Sequence, residues 1–147
     1  MRNYYLEIQQ YLEKFIYNVI ILDKKGIKNN GDSLSMTEIL ILKTLGDQKE
    51  KKMSDIIEEF NIDRNTFGTI VTRLQSQNYI IKKKSLEDKR VQVLLLTDKG
   101  KQAFEQILLK EKDILFTLLN DFTFNEEKAI LKFLVKIDLL KKNTGLI

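Results

Sequence analysis

Apolar residues recur at helical spacing in most parts of the chain. Residues 4–22 follow this spacing and predict a long first helix that ends before Gly26. The polar run at 28–32 predicts a loop. Residues 35–38, Ser-Met-Thr-Glu, form a capping-box pattern that predicts a second helix over 39–45.

Two short helices are predicted next, in close succession. Gly46 is expected to end the helix before them, and 49–52 forms a charged connection. Ser54 is expected to cap the first short helix, and the turn 61–63 separates it from the second, residues 64–78. Two short helices joined by about three residues are typical of a helix-turn-helix.

Two β-type runs follow the second short helix. Residues 79–84 and 91–96 are rich in β-branched and other apolar side chains, and a polar tip at 85–90 separates them, which predicts a hairpin. Two helices close the chain, one over 98–120 and one after a second capping box at 123–126. The predicted fold class is therefore mainly α with a small β-hairpin, in the order of a winged helix-turn-helix.

Composition removes several classes of chemical site. The chain has 147 residues and contains no Cys, His, Pro or Trp. It therefore lacks a disulfide, a thiol nucleophile, a histidine general base and the common zinc sites. We expect no metal and no cofactor, and an enzyme is disfavoured because few catalytic residue types remain.

The chain offers no candidate for a membrane-spanning segment. No stretch without a charged residue is longer than eight residues, as at 15–22, whereas a membrane helix needs roughly twenty predominantly apolar residues. The N-terminus also lacks the short apolar core and cleavage site of a signal peptide. We expect a cytoplasmic protein with no membrane partner.

Positive charge is concentrated in the middle of the chain. The net charge is +4, and residues 61–100 carry 8 basic and 4 acidic side chains, against 9 and 10 in residues 1–60. A local basic excess matches the electrostatic footprint of nucleic-acid binding. On charge alone, a solvated lysine-rich surface explains it better.

The predicted helix over 64–78 divides its side chains between two faces. Its apolar side carries Phe67, Ile70, Val71 and Leu74. Its other side and flanks carry small polar groups and one arginine, Asn65, Thr66, Thr69, Thr72, Arg73 and Ser76. Asn suits adenine and Thr can meet thymine, so we predict that this face contacts DNA. The alternative is an ordinary solvated face, but such faces usually carry Glu and Lys.

The predicted hairpin supplies further cations. Arg90 lies at its tip, and an arginine can insert into a narrow minor groove, where the negative potential is enhanced. Lys82, Lys83, Lys84 and Lys89 are placed to neutralise phosphates around it. For the three consecutive lysines, protection of an exposed strand edge is an equally good explanation.

The run 88–100, with D-x-R, an apolar strand and L-T-x-x-G, resembles the signature of the MarR family of winged helix-turn-helix transcriptional regulators. The helix over 65–74 and the residues 78–80 resemble the family's recognition helix and its continuation into the wing. The resemblance covers the whole chain in element order and is most specific over 35–100. The chain departs from the family in its lysine-rich wing and at Asn78, where many members have glycine, although Asn tolerates a left-handed backbone.

The resemblance implies a homodimeric repressor, or less often an activator, at pseudo-palindromic sites in double-stranded DNA. It implies one MarR-type domain, with a winged-helix lobe over about 35–100 and dimerisation helices over about 1–25 and 101–147. Arg90 would enter the minor groove, and Asp88 would organise the wing through an ion pair, with an arginine such as Arg73 as one partner. The full set of expected DNA-binding residues is Ser54, Arg64, Asn65, Thr66, Thr69, Thr72, Arg73, Ser76, Lys82, Lys83, Lys84, Lys89 and Arg90.

The first and last predicted helices carry apolar stripes wider than one small lobe can cover. This agrees with a dimer interface, and a single intramolecular helical core is the alternative. Proteins that the chain resembles often hold a small aromatic or lipophilic effector between the dimer helices and the DNA-binding lobe, and regulation without a ligand, set by protein abundance, is the alternative. Tyr11 and Phe15 are the candidate ligand-binding residues, although aromatic side chains at helical spacing more often form a core.

Two other functions compete with DNA-dependent regulation. A winged-helix adaptor that binds proteins and has lost DNA binding is disfavoured by the basic excess and by the acid-free helix face. An enzyme is disfavoured further, because the chain shows no paired carboxylate site, phosphate loop or activated nucleophile. Salt-dependent DNA binding would separate the regulator from the adaptor.

Overall fold

The computed structural model describes residues 4–29, 31–46 and 50–144. The order of the helices and of the two wing strands agrees with the predicted mainly helical winged helix. Three short strands, over 27–29, 32–34 and 51–52, were not predicted. The described elements are α1 (Tyr5–Lys25), β1 (Ile27–Asn29), β2 (Asp32–Leu34), α2 (Met36–Gly46), β3 (Lys51–Lys52), α3 (Met53–Phe60), α4 (Arg64–Ser76), β4 (Ile80–Lys84), β5 (Gln92–Leu96), α5 (Asp98–Leu119) and α6 (Phe124–Thr144).

The chain divides into two compact units, residues 1–106 and 107–147, with the boundary inside α5. The first unit holds a three-stranded antiparallel sheet in the order β3-β5-β4 and the separate hairpin β1-β2. Its buried apolar side chains all come from the segment between Leu34 and Ala103. In the second unit, none of the described α6 side chains up to Leu140 is fully buried.

Both predicted capping boxes are formed. The Ser35 N–H donates to Glu38 Oε1 over 2.9 Å, and the Glu38 N–H donates to Ser35 Oγ over 3.1 Å. The Thr123 N–H likewise donates to Glu126 Oε1 over 2.9 Å, and the Glu126 N–H donates to Thr123 Oγ1 over 3.2 Å. Because Ser35 is the cap, α2 begins at Met36, three residues earlier than predicted.

The predicted loop at 28–32 is wrong in part, because a short hairpin lies there. Ile27 pairs with Leu34 and Asn29 with Asp32, while residue 30 of that loop lies outside the described residues. The predicted connection at 49–52 also contains a strand, β3, which pairs with β5, although residue 49 lies outside the described part. Strands of two or three residues are too short to show a period of two, so the pattern along the chain could not reveal them.

Two glycines lie in close contact with other parts of the fold. Gly46 is the last residue of α2, not a stop beyond it, and a Cβ there would lie 2.2 Å from the Phe104 ring. A Cβ at Gly100 would lie 2.1 Å from the Tyr79 carbonyl oxygen. The contact at Gly100 is with backbone, so the packing requires glycine there, whereas a side chain at position 46 would force the Phe104 ring to move.

The chain passes from α4 into β4 through a left-handed residue. Asn78 has a φ of 65°, so the asparagine adopts the backbone conformation that glycine favours at such a turn. The Thr97 hydroxyl donates to the Asn78 carbonyl and accepts from the Gly100 N–H over 3.0 Å. Thr97 therefore caps α5 and also ties the start of α5 to the turn that leads into the wing.

The apolar stripe of α1 lies on the surface of the chain. None of the residues of α1 is buried. The exposed stripe includes Tyr5, Ile8, Tyr11, Phe15 and Ile16. Within the described ranges, no helix is both long enough and apolar enough to cross a membrane.

Candidate nucleic-acid interface

The helix α4 begins at Arg64 because Asp63 caps it. Asp63 Oδ1 accepts from the Thr66 N–H over 2.9 Å, and Oδ2 accepts from the Thr66 hydroxyl over 2.6 Å. These two bonds from Thr66 hold the pKa of the Asp63 carboxyl below its usual range. Asp63 was expected only as part of a turn, although an Asp directly before a helix is a recognisable N-cap signal.

The side chains of α4 separate as the spacing predicts. Phe67, Val71 and Leu74 are buried, and Ile70 is half-buried. The predicted contact residues of this helix are all exposed: Arg64, Asn65, Thr66, Thr69, Thr72, Arg73 and Ser76. No acidic residue lies in the first turn of α4. The structure therefore presents a polar, acid-free surface along one side of this helix.

The polar groups on this face differ in how far the protein already uses them. The Thr69 hydroxyl donates to the Asn65 carbonyl over 3.2 Å, and the Ser76 hydroxyl donates to the Arg73 carbonyl over 2.7 Å. These hydroxyl oxygens can still accept hydrogen bonds, but their protons already donate to the backbone. Among the described residues, no partner bonds the side chain of Asn65 or Thr72, so these two have their full capacity for an external ligand.

Arg73 lies on the same helix but its guanidinium turns toward the protein. Nη1 lies 3.0 Å from Glu38 Oε1, and Nη2 donates to the Ser33 carbonyl. The side chain of Arg73 is 49% exposed, whereas that of Glu38 is 2% exposed. Arg73 is therefore already paired and is not the partner of Asp88, contrary to the pairing considered from the sequence.

The wing arginine makes the contact with Asp88 instead. Arg90 Nε lies 3.2 Å from Asp88 Oδ1, and Nη2 lies 3.3 Å from Oδ2. The Arg90 N–H also donates to Oδ1 over 3.0 Å. Bonds from the Arg90 side chain and backbone hold the pKa of Asp88 below its usual range. The turn brings residues two positions apart together, so Asp88 orders the wing tip through its own neighbour.

A cleft of about 370 Å³ joins the two parts of the candidate interface. It is lined by Met53, Ser54, Ile57, Arg64, Arg90, Val91 and Gln92. The prediction that Ser54 caps α3 is wrong, because the helix already begins at Met53. Its N-cap position is Lys52, which makes no side-chain cap bond. Ser54, Arg64 and Arg90 are distant in sequence, and the fold brings them to one concave surface. Gln92 also lines this cleft and was not among the predicted site residues.

The sheet register arranges the lysines of the wing. Lys83 and Lys52 both pair with Val93, so their side chains share one face of the sheet, and Lys82 lies on the opposite face. Lys83 Nζ lies 3.4 Å from Glu50 Oε2. Lys82, Lys83, Lys84 and Lys89 are all exposed, as predicted. Lys52 is an additional exposed cation that the sequence analysis took for part of a connection.

The two candidate effector residues lie on the surface of α1. Tyr11 is 67% exposed and Phe15 is 65% exposed. The Lys14 ammonium lies 4.9 Å from the centre of the Tyr11 ring. A ligand bound by these rings would therefore need a second apolar surface to cover it. In the described part of the chain, no three or more acidic side chains come together as a metal site.

The chain is similar to known proteins in its fold and in part of its sequence. A sequence model of the MarR family matches residues 34–91, which run from β2 to the wing tip. This segment, which is less than half of the chain, is similar to the MarR family. FabT of Streptococcus pneumoniae, solved in complex with DNA, is similar in fold to this chain, with a TM-score of 0.81, 21% identity, and coverage of 95% of this chain and 98% of that one.

Two curated relatives from Bacillus subtilis are also similar. The transcriptional regulator PchR is 27% identical over 106 residues, which cover 70% of this chain and 63% of PchR. The transcriptional repressor MdtR is 27% identical over 105 residues, which cover 71% of this chain and 63% of MdtR. The matches thus span less than two thirds of either relative. Both relatives are named as transcriptional regulators and not as enzymes.

Proposed function

We propose that this chain is a sequence-specific transcriptional regulator that binds double-stranded DNA. The observation that carries the proposal is the exposed face of α4, where small polar side chains without a carboxylate lie next to Arg64. Such a surface can approach base edges in the major groove without electrostatic repulsion. The similarity to FabT, whose structure contains DNA, supports the same use of the fold.

Each part of the interface has a proposed role. Asn65, Thr69 and Thr72 contact base edges, because they lie along the exposed face of α4. Arg90 enters the minor groove from the wing tip. The remaining polar and basic residues of the set bind phosphates or support the face, namely Ser54, Arg64, Thr66, Arg73, Ser76, Lys82, Lys83, Lys84 and Lys89.

The proposed active form is a homodimer at a pseudo-palindromic operator. One recognition helix contacts only a few base pairs, so specificity calls for two helices related by symmetry. The apolar surface of α1 supports this arrangement, because none of its residues is buried in the single chain. We therefore assign residues 1–25 and 101–147 to dimerisation and about 35–100 to the DNA-binding lobe.

The proposed effect is repression, relieved by a small aromatic or lipophilic effector. MdtR is named as a repressor, which supports the sign of regulation. The exposed rings of Tyr11 and Phe15 are candidates for one wall of the effector pocket, with the dimer partner as the other. Binding to the chromosome would place this action in the cytoplasm.

Fluorescence anisotropy on two duplexes tests the proposed function. One duplex carries the region upstream of the protein's own gene, and the other carries the same bases in scrambled order. We expect tighter binding to the native duplex, with both affinities falling as salt rises. Equal binding to both would contradict sequence specificity for this region. No binding by folded protein would favour the adaptor.

A matched pair of threonine variants tests the contact face. Thr69 and Thr117 both lie exposed on helices, and each hydroxyl donates to the carbonyl four residues earlier. Thr69→Ala should reduce the ratio of native to scrambled affinity by about fivefold, as expected for loss of one base contact worth about 1 kcal/mol. Thr117→Ala should leave the ratio unchanged. A ratio that responds equally to both variants would show that α4 does not contact bases.

A further inference from the structure

Arg73 differs from the other exposed residues of α4 in the direction of its charged group. Its guanidinium bonds Glu38 of α2 and the Ser33 carbonyl of β2, and so joins three elements. By contrast, Arg64 at the start of the same helix has no side-chain partner within the described residues. A planar guanidinium held at two acceptors fixes direction as well as distance.

Glu38 has a strong need for this partner. It is buried, and its Oε1 accepts from both the Ser35 N–H and Arg73 Nη1. Its Oε2 is also buried and has no hydrogen-bond partner among the described residues. A buried carboxylate is costly unless it is paired, so loss of Arg73 would leave Glu38 without its balancing charge.

The hairpin β1-β2 connects this pair to the rest of the first unit. The Ser33 hydroxyl donates to the Lys25 carbonyl at the end of α1 over 3.1 Å. Asp32 Oδ2 accepts from the Tyr79 hydroxyl over 2.6 Å and lies 2.9 Å from Lys99 Nζ at the start of α5. The hairpin thus contacts α1, Tyr79 and α5 through the side chains of Ser33 and Asp32, and contacts α4 through the Ser33 carbonyl.

We propose that Arg73 is a positioning residue and not a DNA contact. Together with Glu38, it fixes the rotation of α4 against the hairpin β1-β2. The exposed face with Asn65, Thr69 and Thr72 is thereby held at one angle to the DNA. This inference rests on the proposed function, since it assigns a specificity role within the same interface.

Three variants and a control test this role. Arg73→Gln removes the charge and the two-point contact, Glu38→Gln keeps the shape but removes the negative charge, and the double variant removes both. Arg64→Gln is the control, an arginine on the same helix without an internal partner. Two measurements are made on each: the native-to-scrambled affinity ratio over a range of salt, and amide hydrogen exchange of residues 27–34 and 70–76 without DNA.

We expect Arg73→Gln and Glu38→Gln each to lower the affinity ratio by about fivefold, and the double variant to lower it by less than the product. Both should raise hydrogen exchange in the hairpin and at the end of α4. Arg64→Gln should instead reduce the salt slope by about one, as a lost phosphate contact does, with unchanged exchange. Arg73→Gln should leave that slope unchanged.

The opposite pattern would overturn the inference. If Arg73 contacts DNA directly, Arg73→Gln lowers the salt slope by about one, while Glu38→Gln leaves the affinity ratio unchanged or frees Arg73 to bind more tightly. A wild-type protein that does not distinguish the duplexes contradicts the proposed function instead. In that case hydrogen exchange decides the positioning role: unchanged exchange in Glu38→Gln and Arg73→Gln rejects it, and increased exchange in both supports it.

Discussion

Asp88 and Arg90 are joined at the wing tip by two side-chain contacts, Nε to Oδ1 at 3.2 Å and Nη2 to Oδ2 at 3.3 Å. Arg90 nevertheless remains 91% exposed. Asp88 therefore restrains the Arg90 guanidinium on one edge and leaves the rest of the side chain exposed. This arrangement holds the arginine at the tip, where the wing would meet a minor groove.

Arg90→Ala should weaken DNA binding by about tenfold, the loss expected for a charge-assisted contact worth about 1.5 kcal/mol. The loss should be largest at sites with A/T-rich flanks, because their minor groove is narrow. Asp88→Asn should have a smaller effect, since it loosens the arginine without removing it. Anisotropy on duplexes with A/T-rich and G/C-rich flanks measures both. Unchanged affinity for Arg90→Ala would remove the wing tip from the interface.

Substitutions of Lys83 and of Glu50 should have opposite effects on the affinity for DNA. Lys83 Nζ lies 3.4 Å from Glu50 Oε2, and both side chains are partly exposed. Lys83→Ala should weaken binding to all sequences alike and reduce the salt slope by about one. Glu50→Gln should strengthen binding to all sequences, because it removes a negative charge that competes with phosphate. Lys110→Ala, on the exposed surface of α5, serves as the control. Weaker binding in Glu50→Gln would contradict this placement of the wing.

The exposed apolar stripe of α1 predicts the oligomeric state. Sedimentation at micromolar concentration should give the mass of two chains. Ile16→Glu should shift the protein to the mass of one chain, since a buried unpaired carboxylate opposes association. Asn18→Glu adds the same charge at another exposed position of α1 and should leave the dimer intact. A single-chain mass for the wild-type protein would reject the dimer.

Asp32 should make stability sensitive to acid. Hydrogen bonds from Tyr79 and Lys99 hold its pKa below the usual range. A lowered pKa in the folded state means that its contribution is present above the unfolded value of about 4 and is lost as pH falls through the folded pKa. Asp32→Asn should therefore have a lower Tm at pH 7 and a smaller fall in Tm between pH 5 and pH 2.5. The fall should not vanish, because the pKa values of Asp63 and Asp88 are also lowered. An equal fall in wild type and variant would contradict this role.

Local patterns predicted the parts of the structure that depend on neighbours within about four residues. The capping boxes at 35–38 and 123–126 form as expected, because each bond joins residues three positions apart. The two faces of α4 also follow from the sequence, because helical spacing alone determines which side chains lie together. Asn78 could replace glycine at its turn because asparagine tolerates a left-handed backbone.

Contacts between residues far apart in the sequence could not be predicted from local patterns. Arg73 and Glu38 are 35 positions apart, so nothing in the local pattern showed that this arginine would turn inward. The strands β1, β2 and β3 are equally dependent on packing, since two or three paired residues are not stable alone. The cleft that joins Ser54, Arg64 and Arg90 likewise exists only where three elements meet.

The amino-acid order specified the winged-helix sequence of elements and the polar, acid-free face of α4, because spacing and capping act over short distances along the chain. Tertiary packing decided which charged groups point outward. It turned Arg73 toward buried Glu38 and left Arg64 free of an internal partner among the described residues, whereas Arg90 contacts Asp88 within its own turn at the exposed tip. Burial makes an unpaired carboxylate costly, so the folded environment, and not the local sequence, determines where Arg73 bonds.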